Sequence, residues 1–249
     1  MSLLRGHVTL ITGAGSGIGL ATAHRFHREG ATVVLVARSE ASLDRARTHL
    51  TGPAPVLTLS LDVRKADDMG TMVNRTVEAF GRIDSFIANA GTIGHVSKEM
   101  KLPYALAHLP LEEWDLIIDT NLKGLIHGNR TVLRQMMAQG RGEVINVGSY
   151  PASLRGSAHA AAYSASKHAV RGLTQAAAEE MRPFGIRMQT LMPGPTETPM
   201  LYGNNAVSRH GALTPDDVAR QILHLITLPR DATLGESVVY AVKPADPAP

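Results

Sequence analysis

The sequence predicts an α/β fold in which a seven-stranded, mostly parallel sheet lies between two layers of helices. Short runs of apolar and β-branched residues alternate with stretches of helical periodicity along the whole chain. The runs are apolar throughout, as in strands covered on both faces, and the stretches between them are long enough for parallel crossovers. No linker, repeat or low-complexity tract interrupts the alternation, so residues 1–249 are predicted to form one domain with a flexible tail at 243–249.

The predicted elements follow one another in strand–helix order. The strands span residues 8–12, 32–37, 56–61, 83–88, 143–147, 186–191 and 237–242. The helices span residues 17–29, 42–50, 65–80, 112–139, 162–181 and 215–227. Gly30 and Gly81 stop the first and third helices, and Thr214 caps the last.

Three longer segments remain as loops, at residues 92–111, 150–161 and 193–213. Each follows a predicted strand at its carboxyl end. Open α/β sheets form their ligand crevices at that edge, so these loops are predicted to surround a site.

The composition excludes several classes of protein. The chain has no cysteine, which rules out disulfides, thiolate chemistry and cysteine zinc sites. A net charge of +3 without runs of like charge argues against a nucleic-acid partner. The amino terminus lacks the pattern of a signal peptide, and no apolar run is long enough for a membrane span, so we expect a cytoplasmic protein without a membrane partner.

The first strand runs into a glycine-rich loop, TGAGSGIG at residues 12–19, which opens the first helix. Gly13 permits the tight turn, Gly15 and Gly17 let a ligand approach the backbone, and Gly19 lets the helix lie close to the sheet. The amide groups around Ser16 and Ile18 then face a pyrophosphate at the positive end of the helix. This predicts a doubly wound Rossmann fold that binds a dinucleotide; the alternative is a glycine-rich turn without a ligand.

The residues at the end of the second strand indicate which dinucleotide the site binds. A carboxylate there would bind the ribose 2′-hydroxyl of NAD(H), but the chain has Arg38 and Ser39. A guanidinium can donate two hydrogen bonds to a 2′-phosphate, and a hydroxyl can donate a further one. NADP(H) is therefore favoured and NAD(H) remains open, as does a solvated Arg38 that stacks on adenine.

Tyr163 and Lys167 are four residues apart at the start of a predicted helix, so they share one face. A nearby ammonium lowers the pKa of a phenol, which can then act as an acid and base at a carbonyl or alcohol oxygen. The alternative is an ordinary pair on an amphipathic helix.

With these motifs in order, the sequence resembles the short-chain dehydrogenases/reductases over nearly its whole length. The resemblance implies a dinucleotide site in which Asp62 binds the adenine amino group and Thr198 the nicotinamide carboxamide. Ala88 stands where the family usually has the first asparagine of its NNAG motif. The other cofactor positions implied are Val63, Asn89, Ala90, Gly91, Pro193, Gly194 and Thr196.

The resemblance also implies a catalytic set. Tyr163 is the acid/base, Lys167 lowers its pKa and holds the nicotinamide ribose, and Ser149 binds the substrate oxygen. Asn121 supports a water that links Lys167 to solvent. Outside this framework, Ser149 has the simpler interpretation of a strand-end cap, and Asn121 that of a solvent-facing helix residue.

The expected activity is hydride transfer between NADP(H) and a ketone or aldehyde and the corresponding alcohol. Tyr150 and His159 are predicted to contact substrate, and Arg155 is a further candidate for a polar contact. The loops suggest a mainly apolar pocket, lined by Ile93, Val96, Met100, Leu102, Tyr104, Tyr150, Leu154, Met200, Leu201 and Tyr202.

Two other functions stay open: an NAD-dependent alcohol dehydrogenase that works oxidatively, and a non-catalytic dinucleotide-binding sensor. A metal site is not expected, because His24 and His27 share a helix face without a third ligand. A serine hydrolase is not expected either, because Ser149 lies outside a GxSxG motif. The family resemblance implies a homo-oligomer, a tetramer or dimer.

Overall fold

The computed structural model describes residues 2–94, 104–202 and 212–242 and confirms the predicted architecture. Seven strands form one sheet in the order β3-β2-β1-β4-β5-β6-β7, and every pairing in the described chain is parallel. The strands are β1 (Val8–Thr12), β2 (Thr32–Ala37), β3 (Val56–Ser60), β4 (Ser85–Ala88), β5 (Gly142–Val147), β6 (Ile186–Pro193) and β7 (Glu236–Val239). The predicted flexible tail at 243–249 lies outside the described residues, as do Val96, Met100 and Leu102 of the predicted pocket.

Helices cover both faces of the sheet. They are α1 (Gly17–Arg28), α2 (Glu40–Thr48), α3 (Ala66–Phe80), α4 (Leu111–Ile118), α5 (Gly124–Gln139), α6 (Tyr150–Leu154), α7 (Ala161–Met181), α8 (Pro199–Tyr202) and α9 (Pro215–Ile226). Both α6 and α8 lie in segments that the sequence predicted as loops. Each is a single turn with a proline at its start, too short to show helical periodicity.

The single helix predicted over residues 112–139 is interrupted. A π-helical turn, Asp119–Lys123, separates α4 from α5. One extra residue enters the helix at this point, while the apolar stripe continues on either side of it. Such turns are frequent at functional sites, and this one contains Asn121.

The core has two parts, one on each face of the sheet. On one face, Ile11 packs in a cluster with Phe26 of α1 and Ile222 of α9. On the other, Leu10 packs in a cluster with Met72 of α3. Adjacent residues of one strand thus face opposite layers, as the pleat requires.

The strand order reverses beside β1. From β1 the chain proceeds to β2 and β3 on one side, and from β4 to β5, β6 and β7 on the other. The loops after β1 and β4 therefore face each other across a crevice at the carboxyl edge of the sheet. None of the helices in the described ranges combines the length and apolarity that a membrane crossing requires.

His27 of α1 is buried, with 2% of its surface exposed, and within the described residues neither ring nitrogen has a hydrogen-bond partner. We expect His27→Leu to raise the free energy of unfolding by about 1 kcal/mol, because it removes unpaired polar atoms from the interior at similar volume. Urea denaturation at pH 8 measures this, with the partly exposed His24→Leu as the control. A destabilised His27→Leu protein would show that the imidazole makes favourable interactions.

Candidate active site

A cavity of about 870 Å³ opens at the carboxyl edge of the sheet. Its walls come from the loops after β1, β4, β5 and β6 and from the first turns of α7. Most of the predicted site residues line it: Gly13, Ser16, Gly17, Ile18, Asn89, Ala90, Gly91, Ser149, His159, Tyr163, Lys167, Pro193, Gly194, Thr196 and Thr198. The topology thus brings together residues more than 150 positions apart in the chain.

The glycine loop forms one wall. Gly13 has a φ of +67°, and a side chain there would lie 2.9 Å from the Ala90 Cα atom. Gly17 has a φ of +53°, and a side chain there would lie 2.9 Å from Thr198 Cγ2. Both positions require glycine, because they combine a left-handed backbone with a close neighbour.

Two other glycines of the motif lie outside the cavity. Gly15 was expected to let a ligand approach, but its Cα faces the Ser42 side chain of α2. Gly19 lies against the Gly13 carbonyl oxygen, so it serves the predicted close packing of helix and strand. At these two positions the motif therefore serves contacts within the protein.

Hydrogen bonds join the loops after β1 and β4 across the crevice. Thr12 Oγ1 accepts from the amides of Asn89, at 3.1 Å, and Ala90, at 3.2 Å. Asn89 Nδ2 donates to the carbonyl oxygens of Thr12, at 3.0 Å, and Gly13, at 3.3 Å. Thr12 and Asn89 thus fix the distance between the two loops.

Asn121 is buried and its amide holds the loop after β4 against α7. Its Oδ1 accepts from the Thr92 amide at 2.7 Å, and its Nδ2 donates to the Thr92 carbonyl oxygen at 2.8 Å and to Ser166 Oγ at 3.1 Å. Gly91 lies between Asn121 and Lys167, since a side chain there would be 3.2 Å from Asn121 Oδ1 and 3.7 Å from Lys167 Nζ. The solvent-facing interpretation of Asn121 is therefore wrong, whereas the water relay stays a prediction.

The remaining three predicted catalytic residues form one cluster. Ser149 and Tyr163 both line the cavity, and the Ser149 hydroxyl is near enough to the phenol to lower its pKa. Lys167 Nζ lies 5.8 Å from the centroid of the Tyr163 ring and donates to the Val147 carbonyl oxygen at 2.8 Å. Tyr163 is half-buried and Lys167 has 5% of its surface exposed, so both groups sit in a low-dielectric environment.

Burial controls the titration of this cluster. Burial raises the pKa of Tyr163, and the neighbouring Ser149 hydroxyl partly opposes this shift. Burial also lowers the pKa of Lys167 to about 8. The sequence predicted that Lys167 would lower the pKa of Tyr163; in the structure burial raises it, and the group that opposes this shift is Ser149, not Lys167.

Two serines that the sequence analysis did not single out connect these groups. Ser153 Oγ accepts from the Ser149 amide at 3.1 Å and donates to the Lys167 carbonyl oxygen at 3.2 Å. Ser166 Oγ donates to the Tyr163 carbonyl oxygen at 2.7 Å. A spacing of four residues from Ser149 was the only sequence signal for Ser153, and it is too common to identify such a residue.

Further along the same edge, the residues predicted to bind the adenosine half lie after β2 and β3. Arg38 is exposed, and Ser39 caps α2 by accepting from the Ser42 amide at 3.3 Å. The Asp62 carboxylate is paired with Arg64, and Val63 is buried against α5. None of these residues is among those that line the cavity.

The predicted substrate contacts differ in position. The ring of Tyr150 stacks on that of Tyr240 with centroids 5.2 Å apart, and the Arg155 guanidinium lies 5.7 Å from the Tyr150 centroid. Tyr150 is not among the residues that line the cavity. His159 lines it and is exposed, with the left-handed φ of +58° that is uncommon outside glycine.

Comparisons with known proteins agree with this geometry. A family model for the short chain dehydrogenases matches residues 7–207. An uncharacterized oxidoreductase of Staphylococcus haemolyticus is 32% identical over 242 residues, which cover 97% of this chain and 100% of that protein. One from Staphylococcus aureus is 30% identical over the same length and the same shares.

Solved structures give the same result. A levodione reductase superposes with a TM-score of 0.87 at 29% identity, covering 95% of this chain and 97% of that one. A 3-ketoacyl-(acyl-carrier-protein) reductase from Brucella melitensis, complexed with NADH, has a TM-score of 0.85 at 32% identity with the same coverage. An alcohol dehydrogenase from Thermococcus sibiricus, complexed with 5-hydroxy-NADP, has a TM-score of 0.84 at 28% identity, covering 97% and 99%.

Fold and site together define an oxidoreductase with a nicotinamide-dinucleotide-binding fold. The chain belongs to the short-chain dehydrogenase/reductase family.

Proposed function

We propose that the protein is an NADP(H)-dependent carbonyl reductase in which Tyr163 donates a proton to the carbonyl oxygen of a ketone or aldehyde. The observation that carries this proposal is that Ser149 and Tyr163 lie together on the cavity wall, with the Lys167 ammonium 5.8 Å from the centre of the Tyr163 ring. A neutral phenol, a second hydroxyl and a buried cation are the groups that a reaction forming an alkoxide requires.

The cavity fits a dinucleotide. Its glycine wall admits a ligand close to the backbone at Gly13 and Gly17. The side chain of Ser16 makes no cap hydrogen bond within the described residues, which leaves the first amides of α1 for a pyrophosphate. When bound, the nicotinamide supplies or accepts the hydride.

The titration of the cluster favours reduction at neutral pH. Tyr163 keeps its proton because burial raises its pKa, so it starts as the acid. As the carbonyl carbon accepts a hydride, the carbonyl oxygen takes the Tyr163 proton, while Ser149 donates to the same oxygen. Lys167, protonated below about pH 8, then stabilises the tyrosinate that remains.

NADP(H) is proposed because Arg38 is exposed at the end of β2, where no carboxylate precedes it. We expect Arg38→Gln to weaken NADPH binding about 10- to 100-fold and NADH binding by less than about twofold, because only NADPH carries the 2′-phosphate. Fluorescence titrations, followed by quenching and by energy transfer, measure the dissociation constants of NADPH and NADH. Arg47→Gln is the control, because it also removes one positive charge from an exposed residue, on α2. A wild-type protein that prefers NADH would instead favour the oxidative NAD-dependent alcohol dehydrogenase.

The substrate is proposed to be mainly apolar. Ile93, Pro151, Ala152, Met200 and Leu201 line the cavity beside the reacting groups, and the levodione and 3-ketoacyl reductases among the structural relatives carry ketones in their names. His159 remains the proposed polar contact.

Oxidation of NADPH and NADH, followed with a panel of ketones, aldehydes and oxoacyl thioesters, tests the proposal. Tight NADPH binding without turnover on any compound would favour a dinucleotide sensor.

We further propose a homo-oligomer, a tetramer or dimer, as the family resemblance suggests. Met137 of α5 and Phe184 beyond α7 are exposed apolar side chains near the ends of the two long helices, which supports a partner there. A monomeric mass by light scattering would contradict this.

A further inference from the structure

An ion pair lies at the end of β3. Arg64 Nε donates to Asp62 Oδ1 at 3.0 Å and to Oδ2 at 2.9 Å, and Nη2 donates to Oδ2 at 2.5 Å. The Arg64 amide also donates to Oδ1 at 3.0 Å. One residue thus engages both oxygens of the Asp62 carboxylate, whose side chain is only 14% exposed.

This pair lies beside Arg38. The strands β2 and β3 are neighbours, with the Leu61 amide donating to the Ala37 carbonyl oxygen at 3.0 Å and Ser60 Oγ donating to the Arg38 carbonyl oxygen at 3.1 Å. Arg38 and Asp62 therefore leave the same edge of the sheet side by side. The positive charge of Arg38 contributes to the lowering of the Asp62 pKa, after the larger effect of Arg64, so the two groups interact.

A carboxylate beside Arg38 is unfavourable for the binding of a 2′-phosphate. An unpaired Asp62 would cancel the charge of Arg38 and repel a phosphate dianion at this edge. A second carboxylate adds to the negative potential, since Asp68 Oδ2 accepts from the Asp62 amide at 2.7 Å. Arg64 neutralises Asp62, so Arg38, Asp62 and Arg64 together carry a net charge of +1, which offsets the carboxylate of Asp68.

We propose that Arg64 determines cofactor specificity by neutralising Asp62, which allows a 2′-phosphorylated adenosine to bind beside Arg38. Arg64 acts through Asp62 in this proposal and is a positioning residue. The inference rests on the proposed NADP(H) function and extends it to a residue beyond the end of β3, outside the glycine loop and the β2 end.

The test uses adenosine fragments, so that it does not depend on turnover. Binding of 2′,5′-ADP and 5′-AMP to the full-length protein is measured by calorimetry for wild type, Arg64→Gln, Asp62→Asn and the double variant. The ratio of the two dissociation constants reports the contribution of the 2′-phosphate alone, because both fragments make the same contacts to adenine and these cancel in the ratio. Arg47→Gln is again the control for loss of one exposed charge.

We expect Arg64→Gln to lower the preference for 2′,5′-ADP about 10-fold, the size of one solvent-screened charge, and Arg47→Gln to leave it within about twofold of wild type. In the double variant Asp62 is already neutral, so the preference should return to within about threefold of wild type. Equal weakening of both fragments by Arg64→Gln, no weakening, or no recovery in the double variant would overturn the proposal.

Failure of this inference can be told apart from failure of the proposed function. If wild type binds 5′-AMP as tightly as 2′,5′-ADP, the preference for NADP(H) is wrong and this inference falls with it. If wild type discriminates and Arg38→Gln abolishes the discrimination while Arg64→Gln does not, only the role of Arg64 is wrong.

Discussion

Tyr163→Phe is expected to lower kcat for carbonyl reduction by about 10²- to 10⁴-fold, the contribution of a positioned general acid. The variant removes one hydroxyl from a residue that lines the cavity beside Ser149. The ring remains, so cofactor affinity should stay within about threefold of wild type. Single-turnover oxidation of NADPH with a substrate from the panel measures the chemical step directly.

Tyr150→Phe is the matched control for that variant. It removes the same group from a tyrosine that stacks on Tyr240 and does not line the cavity, so its kcat should be close to that of wild type. A Tyr163→Phe protein with full reductase activity would refute the proposed acid. Equal losses in both variants would indicate damage to the loop after β5 instead.

Lys167→Met is expected to inactivate the protein and to stabilise it. Loss of the charge behind Tyr163 should lower kcat by about 100-fold or more. Burial lowers the pKa of Lys167 from 10.5 to about 8, which corresponds to roughly 3 kcal/mol of destabilisation at neutral pH. Loss of the hydrogen bond to the Val147 carbonyl oxygen offsets about 1 kcal/mol of this, so we expect a net gain of about 2 kcal/mol at pH 7.

The pH dependence of that gain follows from the lowered pKa. Between about pH 8 and 10.5 the folded protein has released the Lys167 proton while the unfolded chain still holds it, so wild-type stability gains from this group as the pH rises. The methionine variant lacks this gain, and the difference between the two proteins should shrink across the window. Chemical denaturation at pH 7, 8, 9 and 10 measures it, with the exposed Lys65→Met as control. A variant less stable than wild type at pH 7 would contradict the expected cost of burying the ammonium.

The fold could be predicted because its signals are local. The run TVVLVA at Thr32–Ala37 is apolar at every position after Thr32, and the structure buries all of it but Ala37 between two helix layers. The short helix Tyr150–Leu154 could not be predicted, because a single turn shows no periodicity. The break at Asp119–Lys123 was missed because the apolar stripe continues through it.

The site was predictable where chemistry depends on residue type and spacing, as for Tyr163 and Lys167, which the structure brings to one cavity with Ser149. Two features depended on tertiary structure. Ser153 links Ser149 to Lys167, which lies 14 positions after Ser153 in the sequence, and no local pattern marks it. The direction of the Tyr163 pKa shift depends on desolvation, which only the packed structure determines.

The π-helical turn makes the length of the segment between β4 and β5 matter as much as its composition. The five residues of this π turn rotate the chain about as far as four residues of an α-helix, so deleting one of them would give a regular helix in which the remaining side chains of the turn point in new directions. Asn121 would then lose its bonds to Thr92 and Ser166. A design procedure that idealises backbones would accept this deletion as an improvement, and it would dismantle the site without altering a single side chain that lines the cavity.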